Sequence, residues 1–186
     1  MLRETNERNI SVVRALLDLA SADHAPFDPD PVDLAELAER AAAERSAQAS
    51  ARGIRLDVDT ESGCETCEVA GNATLLRQLV LNLLDNALVH NDSWTGDVRL
   101  SVFRDRDAGV VMEVENTGPH VDKAVVDEPF YRARSRVSSD RSGHGLGLAI
   151  VRSIASAHHG TATASANPEG GLTVRIELPA PSLPGR

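Results

Sequence analysis

The chain has 186 residues, a formal net charge of −9, 41% apolar residues and 25% charged ones. That length covers one ordinary domain with roughly 30 to 40 residues to spare, and the composition suits a packed core, not a disordered tail. The acidic balance argues against a duplex-binding protein, and five aromatics (Phe27, Trp94, Phe103, Phe130, Tyr131) are too few for a base-stacking platform, so no nucleic-acid partner is expected. Lys123 is the sole lysine beside 18 arginines, and it follows no glycine-rich loop. A P-loop and a kinase strand lysine of the V-A-I-K type are therefore both missing.

Residues 1–22 read as a helix, with Ile10, Val13, Leu16, Leu17 and Ala20 at spacings of three and four. Pro26, Pro29 and Pro31 break any helix and mark residues 23–31 as a linker. Asp33, with Glu36 three residues on, predicts a capped helix running to about Ala51 before Gly53. Ile54–Val58 alternates as a strand, and Glu68–Ala70 is a second candidate. Cys64 and Cys67 form one C-x-x-C without further ligands at metal spacing, so they read as incidental loop cysteines.

Asn72 caps a long predicted helix, Ala73 to Val89, whose apolar stripe is Leu76, Leu79, Val80, Leu83, Ala87 and Leu88. Gln78, Asn82, Asn86 and His90 recur at steps of four and line another face. Asn is a poor helix former, and a plain solvent stripe more usually carries Lys, Glu or Arg. Val98–Arg104 and Val110–Glu115 predict two strands across a polar turn; the second stops at Asn116-Thr-Gly118-Pro. Residues 122–142 are polar and show no period. The run Gly143-His144-Gly145-Leu146-Gly147-Leu148 then leads into a helix to about His158, an arrangement that brings backbone N–H groups against phosphate oxygens. Its G-x-G-x-G spacing is not the dinucleotide fingerprint. Thr161–Ala166 and Leu172–Leu178 close the chain as strands, ahead of a frayed tail. Strands and helices mix without strict alternation, which predicts an α/β (α+β) fold: a two-layer sandwich of helices on a mixed, mostly antiparallel sheet. No signal peptide and no apolar run of about 18 residues is present.

Taken in order, these elements resemble the catalytic, ATP-binding domain of bacterial sensor histidine kinases, within the gyrase, Hsp90, histidine kinase and MutL superfamily. Residues 82–87 match its N box, 116–121 its first glycine box, 128–132 its F box and 143–148 its second glycine box. The resemblance covers roughly residues 32–179 and implies a Bergerat-type fold, with 180–186 as a tail. Residues 1–22 are similar to the end of the dimerisation hairpin, a helix N-terminal to the domain.

The resemblance implies Mg-ATP as the ligand, with the Asn86 oxygen on Mg²⁺ and with Asn82 and His90, one turn either way, facing the phosphates. Asn82 holds the position where the ATPase branches carry a water-activating glutamate. An amide cannot act as that base, which favours transfer to another acceptor over hydrolysis. Asn116 stands where the family has an Asp that accepts from the adenine amine; its oxygen can still accept, and its NH₂ can donate to a ring nitrogen. His120 replaces a glycine of that box, and Val89 replaces a phosphate-binding basic residue. The lid arginines Arg132, Arg134, Arg136 and Arg141 are expected to supply that charge, and Phe130 to pin the lid or join the core. Gly118, Val121, Gly143, His144, Gly145, Leu146, Gly147, Leu148 and Thr173 complete the expected nucleotide contacts.

None of the six histidines (24, 90, 120, 144, 158, 159) has the context of the family's phosphoacceptor. The resemblance therefore implies a fragment of a longer kinase, a cytoplasmic domain whose full-length form is anchored in the bacterial inner membrane. Its partners would be the hairpin of the same homodimeric kinase and a response regulator. Two alternatives stay open: an anti-sigma-type serine kinase, and a degenerate nucleotide-binding or dimerisation module without catalysis.

Overall fold

The computed structural model describes residues 30–60, 67–91, 96–107, 109–121 and 147–180. Outside them lie the expected helix 1–22, most of the linker, Cys64, Phe130, Arg132, Arg134, Arg136, Arg141, residues 143–146 and the tail from 181 onward. The first described element is strand β1 (Asp30–Asp33), paired antiparallel with β3 (Glu68–Gly71) as a small two-stranded sheet. It takes in Asp30 and Pro31, which the proline-rich reading assigns to the linker. With a single strand as neighbour, Pro31 need not donate to a second ladder, and buried Val32 anchors the segment to the core.

Asp33 closes β1 and caps helix α1 (Leu34–Ala51), accepting from the N–H groups of Ala35 at 2.9 Å and Glu36 at 3.2 Å. The helix buries Leu34, Ala38, Ala41, Ala42 and Ala49 and ends at Gly53, whose φ of 68° few other residues adopt readily. β2 (Arg55–Thr60) lies parallel to β4 (Asp97–Asp105), because the connection between them carries β3 and helix α2 (Ala73–Val89) over one face of the sheet. β5 (Gly109–Asn116) returns antiparallel to β4 through a turn in which the Asp105 carboxylate accepts from the Asp107 N–H at 2.9 Å. Helix α3 (Gly147–Ala157) precedes β6 (Thr161–Ala166) and β7 (Leu172–Leu178), giving a five-stranded order β2-β4-β5-β7-β6. Within it only the β2–β4 pair is parallel.

Alternation of side chains separates the two sheet faces. Val98, Leu100 and Val102, Val110, Met112 and Val114, and Leu172, Val174, Ile176 and Leu178 are all buried under the helices. On the opposite face Arg175 bridges Glu113 at 2.6 Å and Glu177 at 2.8 Å, over the Phe103 ring, and Val111 is buried there. Cys67, expected as an incidental loop residue, is instead a buried thiol of the core, and its carbonyl accepts from Leu34 N–H at 3.0 Å.

Candidate functional site

Helix α2 is the axis of the site. Asn72 caps it, accepting from the N–H groups of Thr74 at 3.0 Å and Leu75 at 3.1 Å. All six expected stripe residues are buried, and Leu81 and Leu84 join them because α1, α3 and the sheet enclose most of the helix. Each fully buried leucine stabilises by roughly 1.5–3 kcal/mol. An unfavourable helix former costs at most about 0.7 kcal/mol, so burial easily carries the two asparagines. Three arginine contacts hold α2 against α1. Arg77 pairs with Glu44 at 2.6 Å, Arg45 grips Asp85 through two bonds of 2.6 and 3.0 Å, and Arg52 donates to the Leu88 carbonyl at 2.7 Å.

Asp85 is thereby committed to α1, while Asn82 and Asn86 are half-buried and His90 is exposed at the C-cap. Asn82 Nδ2 is the one buried side-chain nitrogen or oxygen among the described residues without a hydrogen-bond partner. An orphaned buried donor of this kind costs about 1–3 kcal/mol unless something accepts from it. Gly147, the first residue of α3, lies near the backbone of Asn82: a Cβ there would stand 4.0 Å from the Asn82 carbonyl oxygen. The N-terminus of one helix thus meets the middle of another. Leu148 and Val121 are partly buried against the core.

The far end of α2 meets the turn that follows β5. Asn116 is 5% exposed, and its amide nitrogen donates to the Thr117 carbonyl at 2.8 Å. A carbonyl cannot donate, so this bond assigns the nitrogen and leaves Oδ1 as the atom that accepts. The internal bond takes one of the two Asn116 N–H donors.

Gly118 packs on the helix end, where a Cβ would stand 2.8 Å from the His90 carbonyl oxygen. Thr117 joins a network that sequence reasoning missed. Its hydroxyl donates to Asn91 Oδ1 at 3.1 Å and accepts from the Asp97 N–H at 2.9 Å, and Asn91 Nδ2 donates to the Asp97 carbonyl at 2.9 Å. Asn91 is 4% exposed, and the only local signal for it was a polar residue directly behind the helix end.

Thr173 calls for a correction. The register sets Asn116 opposite Leu172, so Thr173 falls opposite Glu115, on the other face of the sheet from the Asn116 side chain. Its hydroxyl donates to Asn167 Oδ1 at 2.7 Å instead. His120, exposed, and Gly118 remain in the turn where the sequence places them.

His158, at the end of α3, is 3% exposed and joins the two helices. Its Nε2 accepts from the Asn72 N–H at 3.0 Å, and Nδ1 lies 2.7 Å from the Ile154 carbonyl, which defines a neutral ring protonated on Nδ1. Burial pushes its pKa down most strongly; the Ile154 carbonyl opposes this, and neighbouring His159 adds to it. The unfolded chain binds this proton near the ordinary value of 6.5, so below that pH the unfolded state takes up more protons. His158 therefore contributes stability that is fully present above about 6.5 and is lost as pH falls through its depressed folded value. Thermal melts from pH 8 to 5 should show this decline, and a smaller one in His158→Gln; equal slopes would exclude His158 as the source.

A model of the family described as histidine kinase-, DNA gyrase B- and HSP90-like ATPase matches residues 71–182. The chain belongs to that family. This ATPase-family chain is 39% identical over 181 residues to the sensor protein CutS of Streptomyces coelicolor, covering 96% of the chain and 42% of CutS. It thus spans less than half the length of that relative. The solved ATP binding domain of PrrB from Mycobacterium tuberculosis is 33% identical and superposes with a TM-score of 0.60, covering 84% of this chain and all of that one. Full-length ShkA, solved in complex with AMPPNP, is 28% identical with a TM-score of 0.77, covering 100% of this chain and 39% of ShkA. The similarity to the PrrB domain matches the two-layer architecture derived from the sequence.

Proposed function

We propose that this chain is the ATP-binding kinase domain of a sensor histidine kinase. In this reading it binds Mg-ATP and transfers the γ-phosphoryl to a histidine on a dimerisation hairpin, for relay to a response-regulator aspartate. The order of groups along α2 carries the reading. Asn82, beside the α3 N-terminus, and His90, beside the Asn116–Gly118 turn, are eight residues apart, about 12 Å along a helix axis. That span matches a nucleotide laid with its phosphates at the α3 end and its base at the turn.

The donor set fits such a ligand. The orphaned Asn82 Nδ2 suits a phosphate oxygen, the N-terminus of α3 favours anionic charge, and Asn116 Oδ1 suits an exocyclic amine. Among the described residues no three His, Cys, Asp or Glu side chains converge on a metal site. A Mg²⁺ held at Asn86 would draw its other ligands from phosphate and water, and bound there it neutralises charge on the transferring group. Asn82 cannot take a proton from water, so bound ATP waits for a better-placed acceptor. We assign the glycine run 143–148 to the phosphates, the lid arginines to charge compensation, and residues 1–22 to the end of the hairpin. No described helix is long and apolar enough to cross a membrane; in this reading the membrane anchor belongs to the full-length sensor.

Calorimetric titration with ATP, with and without Mg²⁺, tests the first half of the reading. Transfer of radiolabelled γ-phosphate to a supplied hairpin carrying the acceptor histidine tests the second. Binding with slow hydrolysis and label on the hairpin is the expected result. No binding at millimolar ATP would remove the kinase reading, and binding without transfer would favour a non-catalytic nucleotide module.

A further inference from the structure

Asn167 sits in the turn between β6 and β7, outside every motif that marks the site. Its Nδ2 donates to the Asn116 carbonyl at 3.4 Å while its Oδ1 accepts from the Thr173 hydroxyl at 2.7 Å. The same turn is locked to the Asn116 loop through its backbone. Gly171 N–H donates to the Pro119 carbonyl at 3.0 Å, and Gly170 and Gly171 (φ 100° and 88°) lie against the Gly118 and Asn116 carbonyl oxygens. From the α2 side, Asn91 engages Thr117 and Asp97. Residues 116–119 are therefore gripped by two asparagines from elements far apart in sequence.

This grip bears on which base is chosen. An asparagine amide can present either an acceptor or a donor, and only the acceptor suits the amine of a 6-aminopurine. The bond from Asn116 Nδ2 to the Thr117 carbonyl selects the acceptor. That bond persists only while Thr117 and Asn116 keep their present backbone positions, and Asn91 and Asn167 hold those positions.

We propose that Asn91 and Asn167 are positioning residues that set the preference for a 6-aminopurine over a 6-oxopurine nucleotide by fixing the Asn116 amide. The inference rests on the nucleotide-binding reading above. Once the clamps are cut, the amide is free to turn over and donate to a 6-oxo group.

The test compares Mg-ATP, Mg-GTP and Mg-tripolyphosphate titrations of the chain and of Asn91→Ala, Asn167→Ala and Asn167→Asp, each first checked for folding by thermal melting. Asn167→Asp keeps the bond to Thr173 and loses the donor to Asn116, so it serves if the alanine variants fail to fold. Loss of one such hydrogen bond should cut the ATP-to-GTP preference about fivefold or more, with tripolyphosphate affinity unchanged. An unchanged ratio, or equal weakening of all three ligands, would overturn the proposal and leave the two asparagines as scaffold. If the unsubstituted chain binds no ATP, the functional reading falls and takes this inference with it; intact ATP binding with an unaltered ratio removes the inference alone.

Discussion

Asn86→Ala is expected to abolish Mg-dependent nucleotide binding, with affinity falling at least about a hundredfold, or roughly 3 kcal/mol. The fold should be untouched. Asn86 is half-buried, and the neighbouring Leu83, Leu84, Ala87 and Leu88 carry the packing of α2. Alanine is also the better helix former, so the melting temperature should hold or rise slightly. The loss should vanish when EDTA is present in both titrations, because only the cation-mediated contact is removed. Asn86→Asp, which keeps an oxygen ligand and adds charge, should retain Mg-dependent binding. Full Mg-dependent affinity in Asn86→Ala would place the cation elsewhere and undo the assignment of the α2 face.

Gly171→Ala should be the most damaging single-methyl change among the described residues. Gly171 has a φ of 88°, and a Cβ built on it would run into the Asn116 backbone carbonyl. Backbone cannot rotate aside as a side chain does, so positive-φ strain adds to a forced separation of the β6–β7 turn from residues 116–118. A loss of about 3 kcal/mol or more in urea denaturation is expected from strain of this kind. Nucleotide binding should weaken as well in whatever fraction stays folded, because the displaced carbonyl belongs to the residue assigned to the base. A change below about 1 kcal/mol would mean that the turn yields easily, and that the two loops are not rigidly coupled.

Much of this was legible in the chain itself because it is local. Asp33 and Asn72 mark their helices through side-chain oxygens that accept from N–H groups two and three residues on. The closing strands Thr161–Ala166 and Leu172–Leu178 start and stop where the sequence reading places them. Asn82, Asn86 and His90 share a face by helical periodicity alone. β1 escaped because its proline signals a break, whereas edge pairing with β3 tolerates it. His158, Asn91 and Asn167 escaped because their partners lie 86, 26 and 51 residues away. No local period encodes a bond of that length.

What the sequence determined by itself is therefore the set of elements other than β1, their caps, the family and the order of the boxes along the chain. Each of these follows from dihedral preference, apolar spacing or motif order, all readable within a few turns of chain. Tertiary structure decided which of the boxed residues face one another and what holds them there. Sheet register sent Thr173 to the opposite face from Asn116, a difference of one residue that no composition reveals. Close packing of glycine against backbone then joined the β6–β7 turn to the end of β5, and two asparagines from outside the motifs completed the frame. Hydrogen bonds are short and directional, so their pairings become definite only once the packed core has set the distances between elements.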